Sequence, residues 1–214
     1  MHSKTIVLIH GIHGERSDLS LLNEKLQKKG FKTYNFHYPS TKYPIEKLSS
    51  NYLKPFLAKL NSQNQSISFL THSMGGILLR HYLYKNKDID IEKIIMLAPP
   101  NKGSDLVDIF GNNFIFKKRY GPAGQQIGTD LEQNLHLSNL EEYKVGIIAG
   151  DKTDHPYFSI FIPGKDDGKV ALTNTFIDSD FDFLIVPCGH ETILKSKIVL
   201  RAVDNYLKKG EFSH

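Results

Sequence analysis

The stretch FLTHSMGG, residues 69–76, places a serine between two apolar segments. Residues 66–71 are typical of a β-strand, and residues 77–83 are typical of a helix, so Ser73 is predicted in the tight turn between them. Such a turn holds a serine in a strained backbone position, with its Oγ exposed at the carboxyl end of a sheet. Gly75 supplies the small residue needed two positions later, whereas Thr71 is bulkier than expected two positions earlier. We therefore predict Ser73 as a nucleophile that needs a neighbouring base.

Short β-rich runs alternate with helical segments along the whole chain. The predicted strands are residues 5–9, 33–37, 67–71, 94–98, 145–149 and 183–186. The predicted helices are residues 19–26, 44–60 (bent at Pro55), 77–86 and 192–208. Alternating apolar strands and helices indicate an α/β fold with a mostly parallel sheet of about six strands, covered by helices on both faces. The 214 residues correspond to about one domain, so residues 1–214 are expected to form a single domain.

The composition excludes several classes of protein. The chain is 40% hydrophobic and 23% charged, which is typical of a globular protein and not of a disordered or membrane-embedded one. The net charge of +4 comes from scattered Lys and Arg, so no nucleic-acid partner is expected. No segment approaches the roughly 20 apolar residues of a membrane span. Cys188 is the single cysteine and the N-terminal apolar run is short, so we expect a cytoplasmic protein without stable membrane insertion.

A glycine-bearing turn, IHGIHG at residues 9–14, follows the first predicted strand. Acyl transfer builds negative charge on the carbonyl oxygen, and a preorganised backbone N–H stabilises that charge by about 3–4 kcal/mol. The N–H of Met74, directly after Ser73, is one predicted donor, and the N–H of Ile12 in this turn is the other. The alternative is a plain turn that ends the strand.

The base and the acid are predicted from their order along the chain, in which serine comes first, the acid second and histidine last. His190 follows the last predicted strand and is the predicted base. The candidate acids that follow the fifth strand are Asp151, Asp154, Asp166 and Asp167. The acid must hold the imidazole and stabilise the imidazolium, which a carboxylate on a tight turn does best. This favours Asp167, with Asp166 and Asp154 as alternatives.

These segments together resemble the small lipase and esterase branch of the α/β-hydrolases. The resemblance is carried by H-G-x-x-G at residues 10–14, T-H-S-M-G-G at 71–76, D-G-K-V at 167–170 and His190. It spans nearly the whole chain and implies an α/β-hydrolase fold that needs no cofactor or metal. It also implies Ser73 as nucleophile, Asp167 as acid, His190 as base, and Ile12 and Met74 as oxyanion donors. The chain departs from the family at Thr71 and in a long insertion between the fifth strand and Asp167.

Residues 99–130 interrupt the alternation of strands and helices. Only residues 104–110 are predicted as a helix there, followed by a segment rich in glycine and aromatic residues. A long segment after the fourth strand lies where parallel sheets present loops to ligands, so we predict a lid or substrate loop. The predicted acyl-pocket residues are Phe110, Phe114, Phe116 and Tyr120. The alternative is a loop that packs its own aromatic side chains.

The expected activity is hydrolysis of a small-molecule or lipid carboxylic ester through an acyl-enzyme on Ser73. A thioesterase, an acyltransferase or an amidase with the same residues is the first alternative. A non-catalytic interaction protein of the same fold is the second, although such proteins usually lose the serine or the histidine. No motif specifies the acyl chain, the head group or the oligomeric state.

Overall fold

The computed structural model describes residues 4–14, 19–61 and 66–212. Its strands are β1 (Thr5–Ile9), β2 (Lys32–Phe36), β3 (Ile67–His72), β4 (Ile91–Leu97), β5 (Val145–Gly150) and β6 (Asp182–Val186). They form one sheet in the order β2-β1-β3-β4-β5-β6, and every neighbouring pair is parallel. The prediction of about six strands is confirmed, and the sheet is parallel throughout the described chain.

Helices lie on both faces of this sheet. The α-helices are α1 (Ser20–Lys28), α2 (Ile45–Leu48), α3 (Lys54–Asn61), α4 (Met74–Lys85), α5 (Asp105–Phe110), α6 (Phe114–Gln125), α7 (Leu131–Asn134), α8 (Pro156–Ser159) and α9 (Lys197–Lys209). A π-helical turn at Ser49–Leu53 joins α2 to α3, and 3₁₀ turns lie at Leu172–Thr175 and Thr192–Lys195. None of the described helices is long and apolar enough to cross a membrane.

Alternate residues of the strands face two separate hydrophobic cores, as the period of a strand requires. Val7 and Ile9 of β1 point to the face that carries α2, α3 and α4. Ile6 and Leu8 of the same strand point to the opposite face, where α1 and α9 pack. All four side chains are fully buried. The continuous apolar strands are therefore explained by burial on both faces.

Two predicted helices differ from those in the structure, and α6 was not predicted. The segment predicted as one helix bent at Pro55 is interrupted earlier, by the π-turn, and Pro55 is the second residue of α3. The last predicted helix is divided at Ser196, whose Oγ accepts a hydrogen bond from the Val199 N–H and caps α9. In residues 99–130, where only one short helix was predicted, the structure has α5 and also α6.

A kink in α6 explains why this helix was missed. Gly121 has φ 65° and ψ −170°, and Pro122 follows it inside the helix. A Cβ at Gly121 would lie 1.8 Å from the Thr41 carbonyl oxygen, so the position requires glycine. A Gly-Pro pair normally ends a helix. Here the backbone is non-helical at Gly121, and a second helical turn follows it.

Arg80 of α4 fixes both ends of the segment that carries α5 and α6. Its side chain is only 2% exposed. The guanidinium donates to the Asn101 carbonyl oxygen at 2.9 Å, before the segment, and to the Ser138 carbonyl oxygen at 2.9 Å, after it. A third hydrogen bond, also of 2.9 Å, reaches the Glu132 carboxylate. The helix that starts next to Ser73 therefore holds both ends of the segment that carries α5 and α6.

Candidate active site

Ser73 lies in a sharp turn between β3 and α4. Its φ of 52° and ψ of −131° are strained for a residue with a side chain. Its N–H donates to the Leu97 carbonyl oxygen at 2.9 Å, and its own carbonyl oxygen accepts from the Gly76 N–H at 3.0 Å. The turn is therefore fixed on one side by β4 and on the other by the first turn of α4. This is the strand–turn–helix arrangement that the sequence predicts around Ser73.

The residues around this turn are packed so closely that their sizes are restricted. A Cβ at Gly75 would lie 2.6 Å from the carbonyl oxygens of Ile9 and His10. Thr71 is completely buried, and its Oγ1 has no hydrogen-bond partner within the described part of the chain. A Cβ at Gly76 would lie only 3.3 Å from that Oγ1. The second glycine therefore leaves the space that the bulkier Thr71 needs.

His190 and Asp167 complete a hydrogen-bonded series with Ser73. His190 Nε2 lies 3.0 Å from Ser73 Oγ, and His190 Nδ1 lies 2.7 Å from Asp167 Oδ2. All three side chains are buried, with exposed fractions of 6% for Ser73, 3% for His190 and 1% for Asp167. The histidine loop follows β6 and the aspartate lies in a turn after β5. The structure thus brings together the three residues that the sequence singles out.

The other oxygen of Asp167 holds its own turn in place. Oδ1 accepts hydrogen bonds from the N–H groups of Lys169 and Val170, each at 2.9 Å. The Asp167 carbonyl oxygen also accepts from the His190 N–H at 2.9 Å. The carboxylate is therefore fixed by its own turn, and the aspartate and histidine loops are joined through the backbone as well as through the side chains.

The alternative acids have structural partners away from Ser73. Asp166 Oδ1 accepts from Ser159 Oγ at 2.6 Å and from the Gly168 N–H at 2.7 Å. Asp154 Oδ2 accepts from the N–H groups of Glu191 and Thr192 at 2.9 and 3.0 Å. Asp154 therefore holds the start of the 3₁₀ turn directly after the histidine, and Asp166 stabilises the turn that carries Asp167.

His72 contacts the histidine loop from beneath. Its Nε2–H donates to the carbonyl oxygen of His190 at 2.9 Å, and the two rings lie 4.9 Å apart. Burial lowers the pKa of His72 to about 3, and the charge of His190 acts in the same direction. His72 is therefore neutral over the range in which most enzymes work, and it holds the backbone that carries His190. Its place next to Ser73 in sequence gave no indication of this contact.

The turn after β1 lies directly against Ser73. A Cβ at Gly11 would approach Ser73 Cβ to 2.9 Å. The turn is closed by a 3.2 Å hydrogen bond from the Gly14 N–H to the Gly11 carbonyl oxygen, and His13, with φ 56°, donates its N–H to Ser40 Oγ at 3.1 Å. Ile12 lies in this turn, and Met74 is the first residue of α4, whose N–H has no intrahelical acceptor. Both predicted oxyanion donors are thus in segments next to Ser73.

A cavity of about 750 Å³ opens above Ser73. Its floor includes Ser73 and His190. The apolar part of its wall comes mainly from α5, α6 and the residues just after α6, and it includes Leu106, Val107, Phe110, Ile115, Phe116, Tyr120 and Ile127. Three of the four predicted pocket residues are in that group. The prediction of Phe114 as a pocket residue is wrong, since Phe114 is 77% exposed and lies outside the lining. The helical turn that begins at Phe114 directs Phe116 and Tyr120 inward instead.

The comparisons with known proteins agree with this geometry. Residues 1–101 match the model of the family described as "Putative serine esterase (DUF676)", and this match includes Ser73. No curated protein matches the chain. The lipase BlEst2 of Bacillus licheniformis in its mature form superimposes with a TM-score of 0.79 at 18% identity, over 97% of this chain and 92% of that one. The chain has the α/β-hydrolase fold.

Two further solved structures share the fold of this chain. The metagenomic carboxyl esterase MGS0156 gives a TM-score of 0.72 at 16% identity, over 88% of this chain and 64% of that one. Phospholipase PlaB from Legionella pneumophila gives 0.68 at 16% identity, over 98% and 57%. At these identities the likeness concerns the fold. Together with the family match, it supports a serine ester hydrolase of the lipase- and esterase-like type.

Titratable groups lie along the rim of the cavity, and Glu191 and His155 among them were not predicted from the sequence. Glu191 accepts from Lys169 Nζ and lies 3.0 Å from His155 Nε2. Burial raises the pKa of Glu191, but the hydrogen bond and charge of Lys169 outweigh this effect, and the pKa is about 2. Burial lowers the pKa of His13, and the charges of Arg119 and Lys169 lower it further. Within the described residues no cluster of His, Cys, Asp or Glu could hold a metal ion.

Two apolar residues of the cavity lining were not predicted from the sequence. Phe158 of α8 lines the cavity, and its ring lies 6.3 Å from that of Phe110. Ile115 also lines it, although it was passed over for its aromatic neighbours. The aromatic content of residues 156–161, PYFSIF, was the one available signal for α8.

Proposed function

We propose that this α/β-hydrolase cleaves carboxylic esters through an acyl-enzyme on Ser73. The observation that carries the proposal is the buried hydrogen-bonded series Ser73–His190–Asp167, with separations of 3.0 and 2.7 Å. A serine becomes a strong nucleophile only when a base receives its proton, and a base works best when a third group orients it. The cavity above Ser73 gives a substrate access to the oxygen.

In the acylation step, the Ser73 oxygen attacks the ester carbonyl while its proton passes to His190 Nε2. Asp167 accepts the Nδ1–H of the ring and stabilises the imidazolium that forms. The tetrahedral intermediate collapses when Nε2–H gives its proton to the departing alkoxide, which leaves as the alcohol. The acyl group is then bonded to Ser73 Oγ, and His190 is neutral again.

In the deacylation step, a water molecule takes the place of the alcohol. His190 Nε2 receives a proton from that water as its oxygen attacks the acyl carbon, and the second tetrahedral intermediate forms. Its collapse returns the proton to Ser73 Oγ and releases the carboxylic acid. The two steps together consume one water and one ester and restore the starting state.

The oxyanion of both intermediates is stabilised by the backbone N–H groups of Met74 and Ile12. Met74 begins α4, so its N–H points away from the helix and adds to the positive end of the helix dipole. The turn that contains Ile12 can lie against Ser73 because Gly11 has no side chain. Donors fixed in this way need no rearrangement as the charge develops.

The segment of residues 99–130 supplies most of the apolar wall and forms the acyl pocket in this proposal. Phe110, Phe116 and Tyr120 lie along the cavity, with the rings of Phe116 and Tyr120 4.3 Å apart. This wall favours an ester with a hydrocarbon acyl chain, whether a small molecule or a lipid. No nucleic-acid partner is proposed. The cytoplasmic location stays a prediction from the lone Cys188.

The test is a comparison of Ser73→Ala with Ser104→Ala, because both serines line the same cavity. We expect Ser73→Ala to lower kcat on p-nitrophenyl hexanoate by about 10⁶-fold if the three residues act as a unit. It should also abolish labelling by a fluorophosphonate probe, while Ser104→Ala keeps both. Hydrolysis retained by Ser73→Ala would contradict the proposal. Faster turnover of hexanoyl-coenzyme A than of the ester would show a thioesterase instead.

A further inference from the structure

The charged residues that line the cavity are unequal in number. Arg119, Lys169 and Lys195 are cationic, whereas Glu191 is the single carboxylate among the described lining residues. Glu191 is bound to Lys169, so its charge is already balanced. Arg119 and Lys195 form no ion pair with a described residue. The cavity next to Ser73 therefore has an excess of positive charge facing an otherwise apolar wall.

Arg119 is the cation best placed to bind a ligand inside the cavity. Its guanidinium carbon lies 5.8 Å from the centre of the Tyr120 ring, within the range of a cation–π contact. The same ring meets the His13 ring edge-on at 5.2 Å, and His13 directly follows Ile12 in the turn next to Ser73. Arg119 is thus supported on an aromatic face on the side of the cavity where the oxyanion donors are proposed.

Two carboxylates on the same segment form hydrogen bonds with other residues. Asp108 accepts from the Thr129 N–H at 3.0 Å and from Thr129 Oγ1 at 2.6 Å. Asp105 accepts from Asn174 Nδ2 at 3.1 Å. Neither aspartate lines the cavity. The guanidinium therefore keeps its donors for an incoming anion.

We propose that this hydrolase prefers esters that carry a second, anionic group, and that Arg119 binds that group. The inference rests on the proposed ester hydrolysis and names its substrate class. A guanidinium binds a carboxylate or a phosphate with two parallel hydrogen bonds. Arg119 and Ser73 line the same, mainly apolar cavity, which suits a hydrocarbon stretch between the anion and the ester. A long-chain dicarboxylic monoester and an ester with an anionic phosphate head group both meet these requirements.

The first experiment compares two esters of equal chain length, mono-p-nitrophenyl adipate and p-nitrophenyl hexanoate, in the wild type, Arg119→Gln and Lys118→Gln. Lys118 is an exposed neighbour outside the cavity lining. Its variant removes one positive charge, as Arg119→Gln does, and therefore controls for the change in net charge. We expect Arg119→Gln to lower the adipate-to-hexanoate ratio of kcat/KM by about fivefold, the scale of a partly exposed ion pair. The change should lie mainly in KM. Lys118→Gln should leave the ratio unchanged.

A second arm distinguishes the position of the anion. Short-chain dihexanoyl phosphatidylglycerol carries its charge on the alcohol side of the ester, and dihexanoyl phosphatidylcholine has a neutral head group overall. A preference for phosphatidylglycerol that Arg119→Gln removes assigns the guanidinium to a phosphate head group. A loss confined to the adipate ester assigns it to a carboxylate on the acyl side. Either result supports the proposal, and no change in either ratio overturns it.

The last measurement separates failure of this inference from failure of the ester hydrolysis. Adipate and hexanoate are titrated calorimetrically into Ser73→Ala and into the double variant Ser73→Ala/Arg119→Gln, neither of which needs turnover. Tighter binding of adipate that the second substitution weakens about fivefold supports the anion site even if no ester is cleaved. Equal adipate binding by the two proteins, or an equal loss of the ester ratio in Lys118→Gln, contradicts it.

Discussion

His72 provides a sharp test of the way the histidine loop is held. The substitution His72→Gln keeps an amide N–H that can donate to the carbonyl oxygen of His190, the acceptor that His72 Nε2–H uses at 2.9 Å. Unlike histidine, glutamine does not bind a proton in the acidic range. The comparison of wild type and variant therefore measures how the titration of His72 contributes to the pH dependence of the unfolding free energy.

The expected magnitude follows from the pKa of about 3 in the folded protein. In the unfolded chain an imidazole titrates near pH 6.5. Above pH 6.5 both states have a neutral His72, so the residue adds no pH dependence there. Below pH 6.5 the unfolded state binds a proton that the folded state does not bind until the pH nears 3, so stability falls as the pH falls. The linkage amounts to about 2 kcal/mol at pH 5.

The assay is urea unfolding of the wild type and of His72→Gln at pH 8.5, 7.5 and 5. Between pH 7.5 and 5 the wild type should lose about 2 kcal/mol more unfolding free energy than the variant. Between pH 8.5 and 7.5 the two proteins should change equally, which serves as the internal control. Equal losses down to pH 5 would refute the reasoning, since His72 would then be able to accept a proton while the protein is folded.

Two further substitutions test the site at other positions. Asp167→Asn should lower kcat on p-nitrophenyl hexanoate by about 10⁴-fold, because an amide cannot hold the His190 tautomer or stabilise the imidazolium. Asp166→Asn is the control, and an equal loss of kcat in that variant would show that the assignment of Asp167 as the acid is wrong. Thr71→Val replaces a buried hydroxyl without a described partner by a methyl group of similar size. It should raise the unfolding free energy by about 1 kcal/mol, measured by urea denaturation, and a loss of that size would show that the hydroxyl has a partner.

The sheet could be predicted because its strands are apolar and short. The strand at residues 5–9 has the predicted bounds, and the other predicted strands overlap those of the structure. β4 begins at Ile91, three residues before its prediction, because Glu92 and Lys93 break the apolar run. Lys93 is buried with its Nζ donating to the Leu207 carbonyl oxygen at 2.6 Å. That partner comes from α9, so no local pattern could reveal it.

The sequence predicts the residue types of the candidate site well, but it predicts less well which side chains point into the site. The order of serine, aspartate and histidine restricted the choice to a few positions, but Asp166 and Asp167 are neighbours in one turn. The turn itself decides between them, because Asp166 pairs with Ala171 and Asp167 faces His190. Phe114 was misplaced for a similar reason. Because α6 was not predicted, nothing indicated that Phe116 and Tyr120 share a helical face on which Phe114 does not lie.

The hydrogen bonds of Arg80 determine where the wall of the cavity can change shape. One guanidinium binds Asn101 before the segment that carries α5 and α6, and Glu132 and Ser138 after it, so both ends of that segment are attached to α4. A change in cavity volume must then be absorbed between these anchors, by α5 and by α6 around its kink at Gly121. The pocket can be reshaped for different acyl groups while the helix that starts next to Ser73 keeps its position.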